Sequence, residues 1–181
     1  LSCTDILSAL YFGGVLNHNP ENPEDDARDR FILAKGHAAP AIYATLAEAG
    51  YFPVEELKTL RKLGTRLQGH PDSNLLPGIE VSTGSLGQGL SIAAGMAAGF
   101  KLDDAPNRVF TVVGDGETEE GQVWEAATFA AHQNLGNLIA IVDLNGLQID
   151  GHVEDVCASG TLAGKFAAFG WEVHEVNGHD M

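Results

Sequence analysis

The chain has 181 residues, enough for one domain with a proper core, and its 25 acidic against 10 basic side chains give a formal charge of -15. That charge repels nucleic acid and anionic lipid, so neither is an expected partner, and no uninterrupted apolar run reaches the ~18 residues of a membrane span. Two cysteines, Cys3 and Cys157, are too few for a disulfide framework and read as buried thiols of a reducing, cytoplasmic setting.

In chain order, "LSCTDILSALYF" lacks an initiator Met and reads as a helix start, with Ser2 and Asp5 at capping-box spacing. A polar loop, "NHNPENPEDDARDR", leads to the short apolar run "FILA", a turn at Gly36 and His37, and an Ala-rich helix. A second helix is expected over "PVEELKTLRKLG", with Pro53 near its start and Gly64 as its stop. The long loop through "LQGHPDSNLLPGIEVSTGSLGQG" has the length of a functional loop and enters a helix of small residues, "LSIAAGMAAGFKL". "RVFTVV" and "NLIAIV" are apolar on both faces, as buried parallel strands are, and a helix over about residues 119 to 135 makes the connection a right-handed crossover. Beyond "DLNGLQIDG" lie a helical stretch, "TLAGKFAAFG", and a strand, "WEVHEV". The fold class is therefore α/β, a doubly wound and mostly parallel sheet with helices on both faces, whose ligand sits beyond the carboxyl ends of the strands. It reads as a single domain over residues 1–181, cut from something longer at both ends.

The chemistry concentrates in "VVGDG" and "DLNG". A strand that runs into glycines before a helix normally cradles phosphate, yet here Asp115 stands between Gly114 and Gly116. A carboxylate repels phosphate unless a cation lies between them. The crossover brings Asn145, at the end of the next parallel strand, to the same rim, and the turn at Gly146 and Leu147 can offer a backbone carbonyl. Carboxylate, amide oxygen and carbonyl are hard ligands that suit Mg²⁺ and leave places for water and two phosphate oxygens. No Gly-Lys-Ser/Thr follows Gly116, and the glycine spacing is not that of a dinucleotide fingerprint. The same Asp and Asn also suit ordinary turns held by local hydrogen bonds.

"GDG" followed by this asparagine is similar to the thiamine diphosphate signature, and the flanking text goes further. "RDRFILAKGHAAPAIYATL", "LQGHPD", "STGSLGQGLSIAAGMA" and "GDGETEEGQVWEAATFAAHQNLGNLIAIVDLNGLQIDG" resemble, in order, the diphosphate-binding domain of transketolases. The likeness is greatest to the short N-terminal subunits of transketolases split over two chains. The resemblance implies that Asp115, Asn145 and the carbonyl of Leu147 hold Mg²⁺. It implies a thiamine diphosphate site made of His37, Gly84, Ser85, Leu86, Gly114, Asp115, Gly116, Glu117 and Asn145. His37 and His70 match family histidines near the diphosphate and the ketol end of the substrate, and Glu120 matches a glutamate at the subunit interface; these three form the implied catalytic set. Ser85 departs from the proline common in full-length transketolases, which matters little where backbone atoms make the contact.

The implied activity is transfer of a two-carbon ketol group from a ketose phosphate to an aldose phosphate. The implied partner is a complementary pyrimidine-domain chain, in a homodimer or heterotetramer, because nothing in this sequence matches the family's activating glutamate or its first N-terminal histidine. Other thiamine diphosphate enzymes, 1-deoxyxylulose-5-phosphate synthase and the 2-oxo acid dehydrogenase alpha subunits, share "GDG" and the asparagine but not the other motifs as well. A non-catalytic module that only holds the cofactor is the remaining alternative.

Overall fold

A computed structural model describes residues 2–149, 151–157 and 160–180. Its centre is a three-stranded parallel sheet in the order β1 (Arg30–Leu33), β2 (Val109–Gly114), β3 (Leu138–Asp143). Branched and aromatic side chains favour this pleated, doubly covered environment, and every residue of β2 is buried. Successive side chains alternate between two cores. Phe31, Leu33, Phe110 and Val112 face α1 (Thr4–Phe12) and α2 (Ala39–Glu48), where Leu7, Ile42, Tyr43 and Leu46 fill the space. Ile32, Ala34, Val109 and Val113 face α3 (Gln88–Leu102) and α4 (Gly121–His132), whose buried residues are mostly alanines. The expected doubly wound α/β fold, with helices on both faces, is the one observed.

The second face is closely fitted because its residues are small. A β-carbon placed on Gly89, in the first turn of α3, would lie 2.3 Å from the Cβ of Ala34. Helix and strand therefore meet backbone to backbone just below the carboxyl end of the sheet, which fixes where the segment preceding α3 sits.

Several local expectations are corrected. The helix over residues 53–64 is only a 3₁₀ run, Val54–Thr59, because Leu60 turns extended and Arg61 (φ 59) reverses the chain to bond Leu67. The crossover helix is shorter than expected at both ends: Asp115 caps a separate 3₁₀ turn, Gly116–Glu119, and the positive φ of Asn134 stops α4. Ser2 does not cap α1; Cys3 holds that position and makes no side-chain cap bond, while the Ser2 hydroxyl is spent elsewhere. Residues 171–177 join no strand among the described residues, because Trp171 is tied to α4 through Nε1–H to the Ala127 carbonyl and packs edge-on against Phe166. Cys3 is buried as expected, but Cys157 ends the short α5 (Val153–Cys157) on its solvent side. A small antiparallel hairpin, β4 (Leu147–Gln148) with β5 (Gly151–His152), and α6 (Leu162–Ala168) complete the described elements. Among the described residues no helix is long and apolar enough to cross a membrane.

Candidate functional site

Parallel pairing sets the site. Gly114 and Asp143 are register partners at the carboxyl ends of β2 and β3, so the chain leaves both strands at the same height, with Asp115 one residue on and Asn145 two. The two exits are stitched together. Gly146 N–H donates to Asp115 Oδ2 at 2.6 Å, and Gly116 N–H donates to Oδ1 at 2.8 Å. Asp115 is only 2% exposed, and among the described residues no basic side chain pairs with it. Asn145 accepts from Leu147 N–H at 2.9 Å and donates through Nδ2 to Ser2 Oγ at 3.2 Å.

A second loop closes on this rim from the N-terminal side of α3. Buried Glu117 is the link: Oε1 accepts from Gly87 N–H at 2.9 Å and Oε2 from Gly114 N–H at 3.0 Å. Burial raises the Glu117 carboxyl above its ordinary range, although both backbone donors act to lower it. Gly87 needs its positive φ (85), and a β-carbon there would lie 2.6 Å from the Cβ of Glu120. Gly84, Ser85 and Leu86 immediately precede this tie to the GDG turn, with Glu120, the exposed N-cap residue of α4, beside Gly87.

The two histidines converge on the same loop. A β-carbon on Gly36 would come within 2.7 Å of Gly84 N, and one on Gly84 within 3.0 Å of the His70 ring. His37, next in the chain after Gly36, lies on the same side. Partial burial first, and then the positive charge of Lys35 and the proximity of His70, hold its imidazole below the ordinary range. Thr83 Oγ1, immediately before Gly84, is buried with no hydrogen-bond partner among the described residues.

The structure brings the sequence-derived residues to one rim, and it adds residues that sequence reasoning missed. Lys35, at the carboxyl end of β1, is buried and forms an ion pair with Asp143 at 2.7 Å. Burial pushes the Asp143 carboxyl up, but hydrogen bonds from Lys35 and Ser2 outweigh it and hold the group below its ordinary range. A signal was present: a lysine that ends an apolar strand needs an acid at the same height, and "NLIAIVD" supplies one.

The donor set is hard and mostly oxygen. A nearly fully buried carboxylate that, among the described residues, meets only backbone N–H groups is poorly neutralised, and a divalent cation would neutralise it. Among the described residues no group of three or more His, Cys, Asp or Glu side chains gathers as a metal cluster, so a cation here would draw on Asn145 and backbone oxygen beside Asp115.

Comparison with known proteins gives a consistent result. The family model described as "Transketolase, thiamine diphosphate binding domain" matches residues 1–181. The chain is 48% identical over 180 residues to the 6-deoxy-6-sulfo-D-fructose transketolase subunit of Clostridium sp. (strain MSTE9), covering 99% of this chain and 65% of that protein. It is 44% identical over 181 residues to an apulose-4-phosphate transketolase subunit of Phocaeicola vulgatus, covering 100% of this chain and 64% of that one. It therefore spans less than two thirds of the length of these relatives. Among solved structures, the transketolase of Campylobacter jejuni superposes with a TM-score of 0.90 at 37% identity, covering 97% of this chain and 28% of that one.

Proposed function

This chain belongs to the transketolase family, in its thiamine diphosphate-binding domain, and on that premise we propose that it is the diphosphate-holding part of a transketolase divided over two chains. The reaction is transfer of a two-carbon ketol group from a ketose phosphate to an aldose phosphate. The relatives are named for different sugars, 6-deoxy-6-sulfo-D-fructose and apulose-4-phosphate. The reading accordingly commits to the ketol end that ketose donors share and not to one sugar.

The observation that carries this is the buried Asp115 carboxylate, which has no basic side-chain partner among the described residues and is bonded to the loop that carries Asn145. Asp115, Asn145 and the Leu147 carbonyl would hold Mg²⁺, and the cation would join them to the diphosphate. Gly114 and Gly116 would let the turn approach the diphosphate, with Gly84, Ser85 and Leu86 lining the other side. Glu117 would serve that set by holding the two loops together. Bound there, thiamine diphosphate supplies a nucleophilic ring carbon and an electron sink for the two-carbon fragment.

The chain's own residues do the rest. His37, kept neutral more readily than an ordinary imidazole, would hydrogen-bond near the diphosphate without adding charge. His70, packed on Gly84, would orient the ketol hydroxyls and hold or move a proton at a ring nitrogen. Glu120, exposed at the start of α4, would face the partner across the interface. The complementary pyrimidine-domain chain completes the site, as part of a dimer or heterotetramer acting in the cytoplasm.

The test is ketol transfer between sugar phosphates by the purified chain alone and after addition of the complementary chain. Activity that appears only on mixing, and that saturates with the second chain as well as with the cofactor, is the expected result. Full turnover by this chain alone would overturn the divided-site reading.

A further inference from the structure

We infer that Lys35, Asp143 and Ser2 form a polar relay that fixes which way the Asn145 amide faces, and that they are positioning residues for the cation site. The inference rests on the reading of Asn145 as a cation ligand.

The direction of each hydrogen bond follows from the chemistry of its ends. Lys35 Nζ has only protons to offer and lies 2.7 Å from Asp143 Oδ2. The carboxylate so paired has only lone pairs to offer. Ser2 Oγ is 2.5 Å from the same oxygen, so its single proton is committed there. Ser2 then has lone pairs left, and its next neighbour is Asn145 Nδ2 at 3.2 Å. On the far side of the amide, Leu147 N–H needs an acceptor and finds Oδ1 at 2.9 Å.

A flipped Asn145 would oppose oxygen to the Ser2 lone pairs and NH₂ to the Leu147 N–H. Both contacts would be repulsive. The nitrogen therefore faces the relay, and the oxygen lies along the Gly146 and Leu147 backbone, whose Gly146 N–H binds the Asp115 carboxylate. An asparagine on a loop can present either end, but a cation accepts only the oxygen. Three residues, from the start of the chain, β1 and β3, thus settle the polarity of one ligand, as outer groups commonly do around metal sites.

The experiment compares wild type, Ser2→Ala and Ser2→Thr in the intact protein labelled with ¹⁵N-asparagine. It reads solvent exchange of the Asn145 side-chain amide protons without ligands, and Mg²⁺ affinity at fixed thiamine diphosphate by calorimetry. Ser2→Ala should speed that exchange and weaken Mg²⁺ roughly tenfold, and Ser2→Thr, which keeps the hydroxyl, should restore both. Exchange and Mg²⁺ affinity unchanged in Ser2→Ala would overturn the relay. Exchange that responds while wild type itself takes up no Mg²⁺ would support the relay and sink the function proposed above.

Discussion

The rims above β2 and β3 each bury an aspartate, and the two are neutralised differently. Asp143, 6% exposed, has a lysine of its own 2.7 Å away and a serine hydroxyl on the same oxygen. Asp115, 2% exposed, has two backbone N–H groups and, among the described residues, no basic side chain. A carboxylate that carries its counter-ion within the chain is a finished structural element. One that is merely cradled is unfinished, and under the proposed function its remaining charge is what a cation would meet. Burial alone does not separate the two kinds; the partner does.

The largest effect should come from breaking the finished pair. Lys35→Met leaves the Asp143 charge buried without its cation and should cost about 3–5 kcal/mol in denaturant unfolding. The pH dependence follows by linkage. Because the folded carboxyl of Asp143 lies below its unfolded value of roughly 3.9, its contribution is complete above that value and is lost as pH falls through the folded one. In Lys35→Met the folded Asp143 carboxyl loses the bond that lowers it and protonation relieves the unpaired charge, so the stability gap from wild type should narrow as pH falls.

The unfinished aspartate should respond in ligand binding more than in stability. Asp115→Asn keeps the shape, yet calorimetry should show Mg²⁺-dependent affinity for thiamine diphosphate falling at least about 100-fold, or roughly 2.7 kcal/mol. Its fold should weaken by less than that of Lys35→Met, since only one of its two acceptors becomes a donor. Unchanged affinity would remove Asp115 from the cation site.

Glu117 stands between the two cases, buried like both and satisfied, among the described residues, by backbone alone. In Glu117→Gln one of the Gly87 and Gly114 N–H groups would face an NH₂, which should cost about 1–3 kcal/mol and raise amide exchange at that glycine. The smallest expected change is in His37. Its NMR titration midpoint should lie below the usual ~6.5 and move back toward it in Lys35→Met, only in part because burial is the larger cause.

What can be read in advance follows the range over which each signal acts. The two long apolar strands, the crossover and the meeting of Asp115 with Asn145 are legible, since strand period and parallel topology are carried by contiguous residues. Ser2 reads as a cap because capping spacing is local, whereas its actual partner is Asp143, at the far end of the sheet in sequence. Lys35 escapes notice for the same reason. "WEVHEV" alternates like a strand, but alternation supplies only a face, and pairing needs an edge that the segment, anchored by Trp171 to α4, does not reach. The bond from Glu117 to Gly87 crosses between loops and has no sequence signature at all.

The contact between Gly89 and Ala34 has a consequence for how this sequence can vary. Besides its 2.3 Å approach to the Ala34 Cβ, a Cβ imagined on Gly89 would lie 2.7 Å from the Ala34 Cα, so shrinking residue 34 to glycine does not make room for it. Position 89 is held to glycine by backbone, while position 34 is limited only in side-chain size. A library randomised at both would be filtered to glycine at 89 with alanine or glycine at 34, and a larger residue at 89 would persist only where the backbone itself had shifted.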